Sequence, residues 1–249
     1  MSIKKSLVHL LIISISIAYS FATGEFLIDY FKSFLQKNVS NKDFMNVVET
    51  LRKLTPQVYP ENLDHNIRAF PIHFPQIESN KGFIEDQWMY SDMLYGMEKF
   101  SQNGCEIIAV YNALYDLTGE EDRNLPEMID YFEKDDNGIL LYGLFGTAPK
   151  APEEYLNKLG FKTKSSTEKE DYLDIQESCD SYILTIYNDI EDIMNMIHTV
   201  SITKKNGKFY VHNNGYYGYT NGYDSILDIL EKINNGKSKD IYLIGIKKN

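Results

Sequence analysis

From Phe26 to Leu54 apolar residues recur at helical spacing (Phe26, Ile28, Phe31, Phe34, Leu35, then Phe44, Val47, Val48, Leu51, Leu54), which predicts two amphipathic helices divided near Ser40 and Asn41. Pro56, Pro60, Pro71 and Pro75 crowd the stretch that follows and predict an extended connector running over a surface. A main domain then starts near Phe83. Ile107, Ile108, Val110, Tyr111, Leu114 and Leu117 cover much of a helix surface, the pattern of a buried helix, and Gly119 ends it. Two further helices are predicted, over Leu125 to Phe132 with Pro126 in its first turn, and over Ala151 to Leu159 with Pro152 at its start and Gly160 as its stop. The chain then changes period. Tyr182 to Tyr187, His198 to Thr203, Lys208 to Asn213 and Ile241 to Ile246 alternate or cluster β-formers, with a helix from Ser225 to Ile233, closed by Gly236, before the last of them. Helices first and strands afterwards predict an α+β domain.

The first residues have a different pattern. Lys4 and Lys5 precede an apolar run from Leu7 to Ala18 with polar serines inside it, and Ala18-x-Ser20 or Ser20-x-Ala22 offers small residues for cleavage. This reads as an export signal, with an uncleaved membrane anchor as the alternative, and either places the body of the protein outside the cytoplasm, secreted or at the cell surface. The expected organisation is residues 1–22 as signal peptide or anchor, 23–82 as helical lead-in and connector, and 83–249 as the main domain.

With 43% hydrophobic residues among 249, the chain can bury a sizeable core. A formal charge of −11 argues against nucleic acid and against an anionic membrane surface, both of which need clustered Lys and Arg. Any membrane contact is expected only through an uncleaved N-terminal segment. The two cysteines, Cys105 and Cys179, make no disulfide framework and match no zinc spacing, and the acidic runs at Glu120–Asp122 and Glu133–Asp136 fit no metal loop. Neither a metal nor a cofactor is implied.

Candidate chemistry centres on Cys105. It follows Gly104 at the head of the buried helix, where unpaired amide N–H groups favour thiolate over thiol and offer donors to an oxyanion. His198 and Asn213 are the candidate partners. Asn206-Gly207 predicts a two-residue hairpin turn that pairs Lys205 with Lys208, and so Ile202 with Val211 and Val200 with Asn213. That register puts His198, Val200, Ile202, Phe209, Val211 and Asn213 on one apolar, core-facing side, with Thr199, Ser201, Thr203, Tyr210, His212 and Asn214 on the other. An Asn213 amide oxygen diagonal to His198 would orient the imidazole as the third member of a catalytic triad does. Gln102 is the expected second oxyanion donor beside the Cys105 backbone N–H, with Asn103 as the competing choice. Cys179, between Glu177 and Asp180, reads as structural; His65, His73 and His212 have no catalytic partner by spacing, and His9 lies in the signal segment. Tyr216, Tyr217, Tyr219 and Tyr223 fit a glycine-rich connection, with an aromatic binding loop as the alternative.

Four segments, in order, carry a resemblance to papain-like cysteine peptidases: Asn103-Gly104-Cys105-Glu106-Ile107-Ile108-Ala109, Phe145-Gly146-Thr147-Ala148-Pro149, Tyr182 to Ile186, and His198 to Ile202 with Lys208 to Asn213. Within them the chain resembles the double-glycine leader peptidases of bacteriocin processing and their stand-alone bacterial relatives, from about Tyr90 to the C-terminus. The resemblance implies a papain-like fold, with a central nucleophile helix packed on an antiparallel sheet, and Cys105 as nucleophile, His198 as base and then acid, and Asn213 as orienter. Glu106 stands where that family usually has glycine, Asn213 where it usually has aspartate, and Gln102 lies closer to the cysteine than the family's oxyanion glutamine. No ATPase or transporter portion of an export pump is expected. The expected function is an exported cysteine peptidase hydrolysing peptide or protein substrates through a thioester acyl-enzyme. The alternatives are an acyl or amide transferase on the same Cys–His site and a catalytically silent binding module in which Glu106 crowds the groove. Ahead of the domain, the helices between Phe26 and Leu54 would be an inhibitory prosegment.

Overall fold

The computed structural model describes residues 40–54, 62–119, 124–134, 137–143, 145–189, 197–214 and 222–248. The export segment, the first lead-in helix, Pro56, Pro60 and the Tyr216–Tyr219 loop lie outside them. Helix α1 (Asn41–Leu54) starts where the pattern divides, with Ser40 Oγ accepting from the Asp43 amide as a cap. Its Met45 and Val48 are buried in the main core, and Arg52 pairs with Glu154 at 2.6 Å.

The connector is helical where it was expected to be extended. α2 (Asn62–Ala69) is followed by a 3-10 turn over Phe70–His73 and by α3 (Phe74–Ser79). Pro71 and Pro75 each stand in the first turn of one of these segments, where a missing N–H leaves no helical bond unmade, so the prolines punctuate helices instead of forbidding them. Phe70 and Ile77 join Met45 and Val48 in the same core as the main-domain helices, so residues 83–249 do not have that core to themselves.

A two-stranded hairpin, β1 (Leu94–Tyr95) and β2 (Glu98–Lys99), leads into a short helix α4 (Phe100–Asn103) and then α5 (Cys105–Thr118). α5 is buried nearly all round and ends on Gly119 in the left-handed region (φ 69°). Ile107, Ile108, Ala109, Val110 and Ala113 lose all contact with solvent, and each of the larger ones contributes about 1.5–3 kcal/mol by burial. α6 (Leu125–Glu133) and α7 (Ala151–Lys158) follow, each with its proline in the first turn.

The second half is a five-stranded antiparallel sheet in the order β3-β7-β4-β5-β6: β3 (Lys162–Ser166), β4 (Ser181–Tyr187), β5 (Ile197–Lys205), β6 (Lys208–His212) and β7 (Lys239–Lys247). The protein is therefore α+β. Both faces of the sheet are covered. α5 packs on the face that carries Ser181, Ile183 and Thr185 of β4, Thr199, Ser201 and Thr203 of β5, and Ile244 and Ile246 of β7. The other face, with Tyr182, Leu184, Ile186, Val200, Ile202 and Leu243, is closed by α8 (Tyr172–Ser178) and α9 (Ile226–Lys232). Gly245 belongs to this second side, where a Cβ would meet Ile175 at 2.5 Å and the Cys179 sulfur at 2.7 Å. At the outer edge of β6, Phe209 and Tyr223 exchange backbone hydrogen bonds of 2.9 and 2.8 Å.

α2 is held by a buried carboxyl. Glu133 Oε1 accepts from Asn62 Nδ2 and from the Gly96 amide, both at 2.6 Å, while Oε2 is buried without a partner among the described residues. Burial pushes the Glu133 carboxyl up from 4.5 to about 7. The folded protein then binds more protons here than the unfolded chain across that window, so stability is fully present below 4.5 and is lost as pH rises through about 7. We expect Glu133→Gln to make the pH slope of chemical-denaturation stability shallower between those values, by a total on the order of 1–3 kcal/mol. Equal slopes in the two proteins would show that Glu133 is ionised in the folded state throughout.

Candidate functional site

Cys105 stands where α4 and α5 meet. Gly104 is the junction residue, and a Cβ there would lie 2.3 Å from the Phe100 ring, which explains the glycine before the cysteine by close approach. The near-continuity of the two helices also changes the electrostatics expected of a helix start. The Gly104 amide bonds the Phe100 carbonyl and the Gly104 carbonyl accepts from Ile108, so the carbonyl end of α4 abuts the amide end of α5 and offsets its positive pole.

The sulfur is buried, with 7% of Cys105 exposed. Its thiol donates to Glu106 Oε2 at 3.1 Å, and the other carboxylate oxygen, Oε1, accepts from Thr199 Oγ1 at 3.3 Å. Burial first, and the adjacent Glu106 carboxylate second, push the Cys105 thiol well above its ordinary range; the Thr199 backbone amide at the sulfur pulls weakly the other way. The geometry does not favour the thiolate expected from the helix end: the sulfur donates to Glu106, and burial and that carboxylate both favour the protonated thiol. Glu106 is itself raised by burial to about 7, against the smaller pull of hydrogen bonds from Cys105, its own amide, Thr199 and the Thr147 amide.

The β5–β6 register is the expected one from Lys205 with Lys208 through Ser201 with His212. It stops there. Asn213 turns into the left-handed region (φ 59°) and leaves the ladder, so the expected Val200–Asn213 pair does not form. The expected pairing of the Asn213 amide oxygen with the imidazole is likewise replaced: His198 Nε2 donates to the Asn213 backbone carbonyl at 2.6 Å. This bond fixes the proton on Nε2 and leaves the lone pair on Nδ1, and burial holds the ring's pKa below its usual value, favouring neutral imidazole.

The assignment of faces also changes. Alternation put the apolar side of the hairpin toward the core, but there is a core on each side, and α5 lies on the hydroxyl-bearing side. Thr199 therefore faces the cysteine pair, while His198, the next residue on an alternating strand, shares the opposite side with its β4 partner Ile186. No hydrogen bond joins the Cys105 sulfur to the His198 ring. His212, expected to point outward, is buried on the α5 side. Its Nδ1 donates to Glu85 Oε1 at 2.7 Å, Thr203 Oγ1 lies 3.0 Å from Nε2, and Phe83 stacks on the ring at 4.0 Å.

Gln102 is exposed, so the oxyanion assignment has no support in its position, and Asn103 beside it is half-buried. The glutamine tied into the site is Gln87. Asn213 Oδ1 accepts from the Gln87 amide at 3.0 Å, Asn213 Nδ2 donates to Gln87 Oε1 at 3.0 Å, and Gln87 Nε2 donates to the Ser101 carbonyl at 2.9 Å, one turn before Cys105. Nothing in the local sequence around Gln87 marks it, because its partners lie 14 and 126 positions away. Cys179 is buried against Gly245, its thiol raised by burial and by Asp180. His65 bonds the Asp92 carbonyl, and His73 pairs with the Asp92 carboxylate at 2.9 Å and stacks on Tyr90.

Among the described residues, no group of three or more His, Cys, Asp or Glu side chains is arranged to hold a metal ion, and no helix is long and apolar enough to cross a membrane. No protein-family model matches the chain, and no curated protein matches it.

The clamp gives a direct test. Asn213→Ala leaves the Gln87 amide and side-chain oxygen without their partners and forces alanine into a left-handed backbone, at a cost of about 2–4 kcal/mol. Asn214→Ala should stay within about 0.5 kcal/mol in the same denaturation experiment. Similar losses at the two positions would remove the clamp from the account.

Proposed function

We propose that the protein is an exported thiol hydrolase of papain-like architecture, acting on peptide or protein substrates through Cys105. The observation that carries this reading is the position of Cys105, at the start of the central buried helix and against β5, the strand that carries His198. In the reaction the sulfur adds to the substrate carbonyl as its proton leaves, the amine departs with a proton, and water hydrolyses the thioester. His198, neutral and with its lone pair on Nδ1, is the acid–base group of this proposal, and Asn213 orients it through its backbone carbonyl. Catalysis by this pair needs the His198 ring to bond the sulfur, a contact this geometry does not make. The charge of −11 favours basic or neutral substrates over acidic ones.

A second reading, a catalytically silent binding module, is favoured by one specific observation: the thiol bonds Glu106 and no bond joins it to His198. A peptide library incubated with the full chain separates the two. Cleavage products seen by mass spectrometry with wild type, and lost at least about 100-fold in both Cys105→Ala and His198→Ala, support the hydrolase. Retention of peptides without cleavage supports the binding module. Products that appear only when an amine acceptor is added identify a transferase.

A further inference from the structure

We propose that Glu106 sets the protonation state of Cys105 and holds the thiol in its unreactive form. This deepens the reading above by naming how the same site is restrained. The thiol donates to Glu106 Oε2 at 3.1 Å, and Glu106 is itself 4% exposed and makes no ion pair among the described residues. The carboxyl cannot swing away cheaply. Thr199 Oγ1 donates to Oε1, the Thr147 amide bonds the carboxylate, and the Asn103 carbonyl lies 3.2 Å from where a Gly146 Cβ would stand, so the wall beside it is backbone.

The groups that face this carboxyl are the Cys105 thiol on its own helix, Thr199 on β5, and the Thr147 segment with Tyr95, whose hydroxyl is 2.8 Å from Thr147 Oγ1. Tyr95 is buried and stays neutral, its ionisation pushed well above the ordinary phenol range by burial. Cys105 thus sees one titratable neighbour of consequence. When Glu106 carries a charge, removing the thiol proton would place two anions side by side in a dry site; when Glu106 is neutral, that penalty disappears and the carboxyl O–H can donate to sulfur instead. Above the Glu106 titration the pair holds one proton, and that proton resides on sulfur.

Glu106→Gln removes the charge while keeping the shape and the acceptor for Thr199, and its amide N–H is a donor for sulfur. The experiment follows iodoacetamide alkylation of Cys105 against pH in the full chain, with Cys179→Ser so that one thiol reports and with mass spectrometry mapping the adduct. Wild type should show an inflection above the ordinary thiol value of 9.0. In Glu106→Gln the inflection should fall by at least one pH unit, raising the rate near pH 8 by about tenfold. An unchanged rate would overturn the proposal, and a slower one would make Glu106 a proton acceptor that promotes attack. If Glu106→Gln does not fold, the ultraviolet thiolate absorbance of the Cys179→Ser protein decides alone: an inflection at or below 9.0 overturns the proposal. Alkylation reads the thiol without any substrate. Faster alkylation with no cleavage of peptides by either form sinks the hydrolase reading and leaves this one standing, whereas Cys105-dependent cleavage with unchanged alkylation does the reverse.

Discussion

The five-residue strap from Phe83 to Gln87 joins the two halves of the molecule, and the geometry of the site depends on it. Phe83 stacks on His212. The Ile84 backbone N–H donates to Asn112 Oδ1 and its carbonyl accepts from Asn112 Nδ2, both at 2.8 Å, in the middle of α5. Glu85 bridges His212 and the Asn213 amide, and Gln87 is clamped between Asn213 and Ser101. The buried polar groups of Ile84, Gln87, Asn112 and Asn213 would each be unsatisfied without their partners, at about 1–3 kcal/mol apiece, so these bonds support one another. One end of the strap fixes the end of β6, whose Asn213 carbonyl orients the His198 ring; the other fixes the turn of helix that precedes Cys105.

The second constraint is the small-residue face of the sheet. Ser181, Thr185, Thr199, Ser201 and Thr203 are all buried beneath α5, which presents Ala109 and Ala113 among its larger side chains. Short side chains on both partners let helix and strand backbones approach closely, so the start of α5 comes near enough to β5 for Glu106 to reach Thr199. Of the hydroxyls on this buried face, Thr185 and Thr199 pair with each other at 3.0 Å, whereas Ser201 Oγ has no partner among the described residues. A face of valines would push the helix outward and break the contact that joins Glu106 to the sheet.

Much of the architecture was legible in the sequence because it is written in local periodicity and punctuation. The α5 pattern, Gly119, the Pro126 and Pro152 starts and the Asn206-Gly207 turn each act within a few residues, and the hairpin register followed from the turn alone. β3 and α8 were missed because Lys-Thr-Lys-Ser-Ser and Tyr-Leu-Asp-Ile-Gln-Glu-Ser carry too few apolar positions to show a period; what makes them strand and helix is the neighbour that covers one side. The placement of the site residues failed for a different reason. Alternation says which residues share a face but not which element covers it, and in a sheet buried on both sides the apolar face is no guide to where the cysteine helix lies. Gln87 and Glu85 were invisible for the same non-local reason. In the sequence Glu106 stands out as a departure from a family pattern, and a carboxylate next to a candidate nucleophile is a signal in its own right.

The outer strands of the sheet have a consequence for the molecule among its copies. β3 carries exposed Lys162 and Lys164 along one border, and β6 on the other is five residues long and already bonded through Phe209 to Tyr223. An uncovered border with free backbone donors and acceptors would be a template for a second chain to add a strand. Here one border carries Lys162 and the Lys164–Asp174 ion pair, charged groups that an added strand would have to desolvate, and the other is bonded at Phe209 to its own chain, so both borders are poor templates for a sheet that would grow sideways.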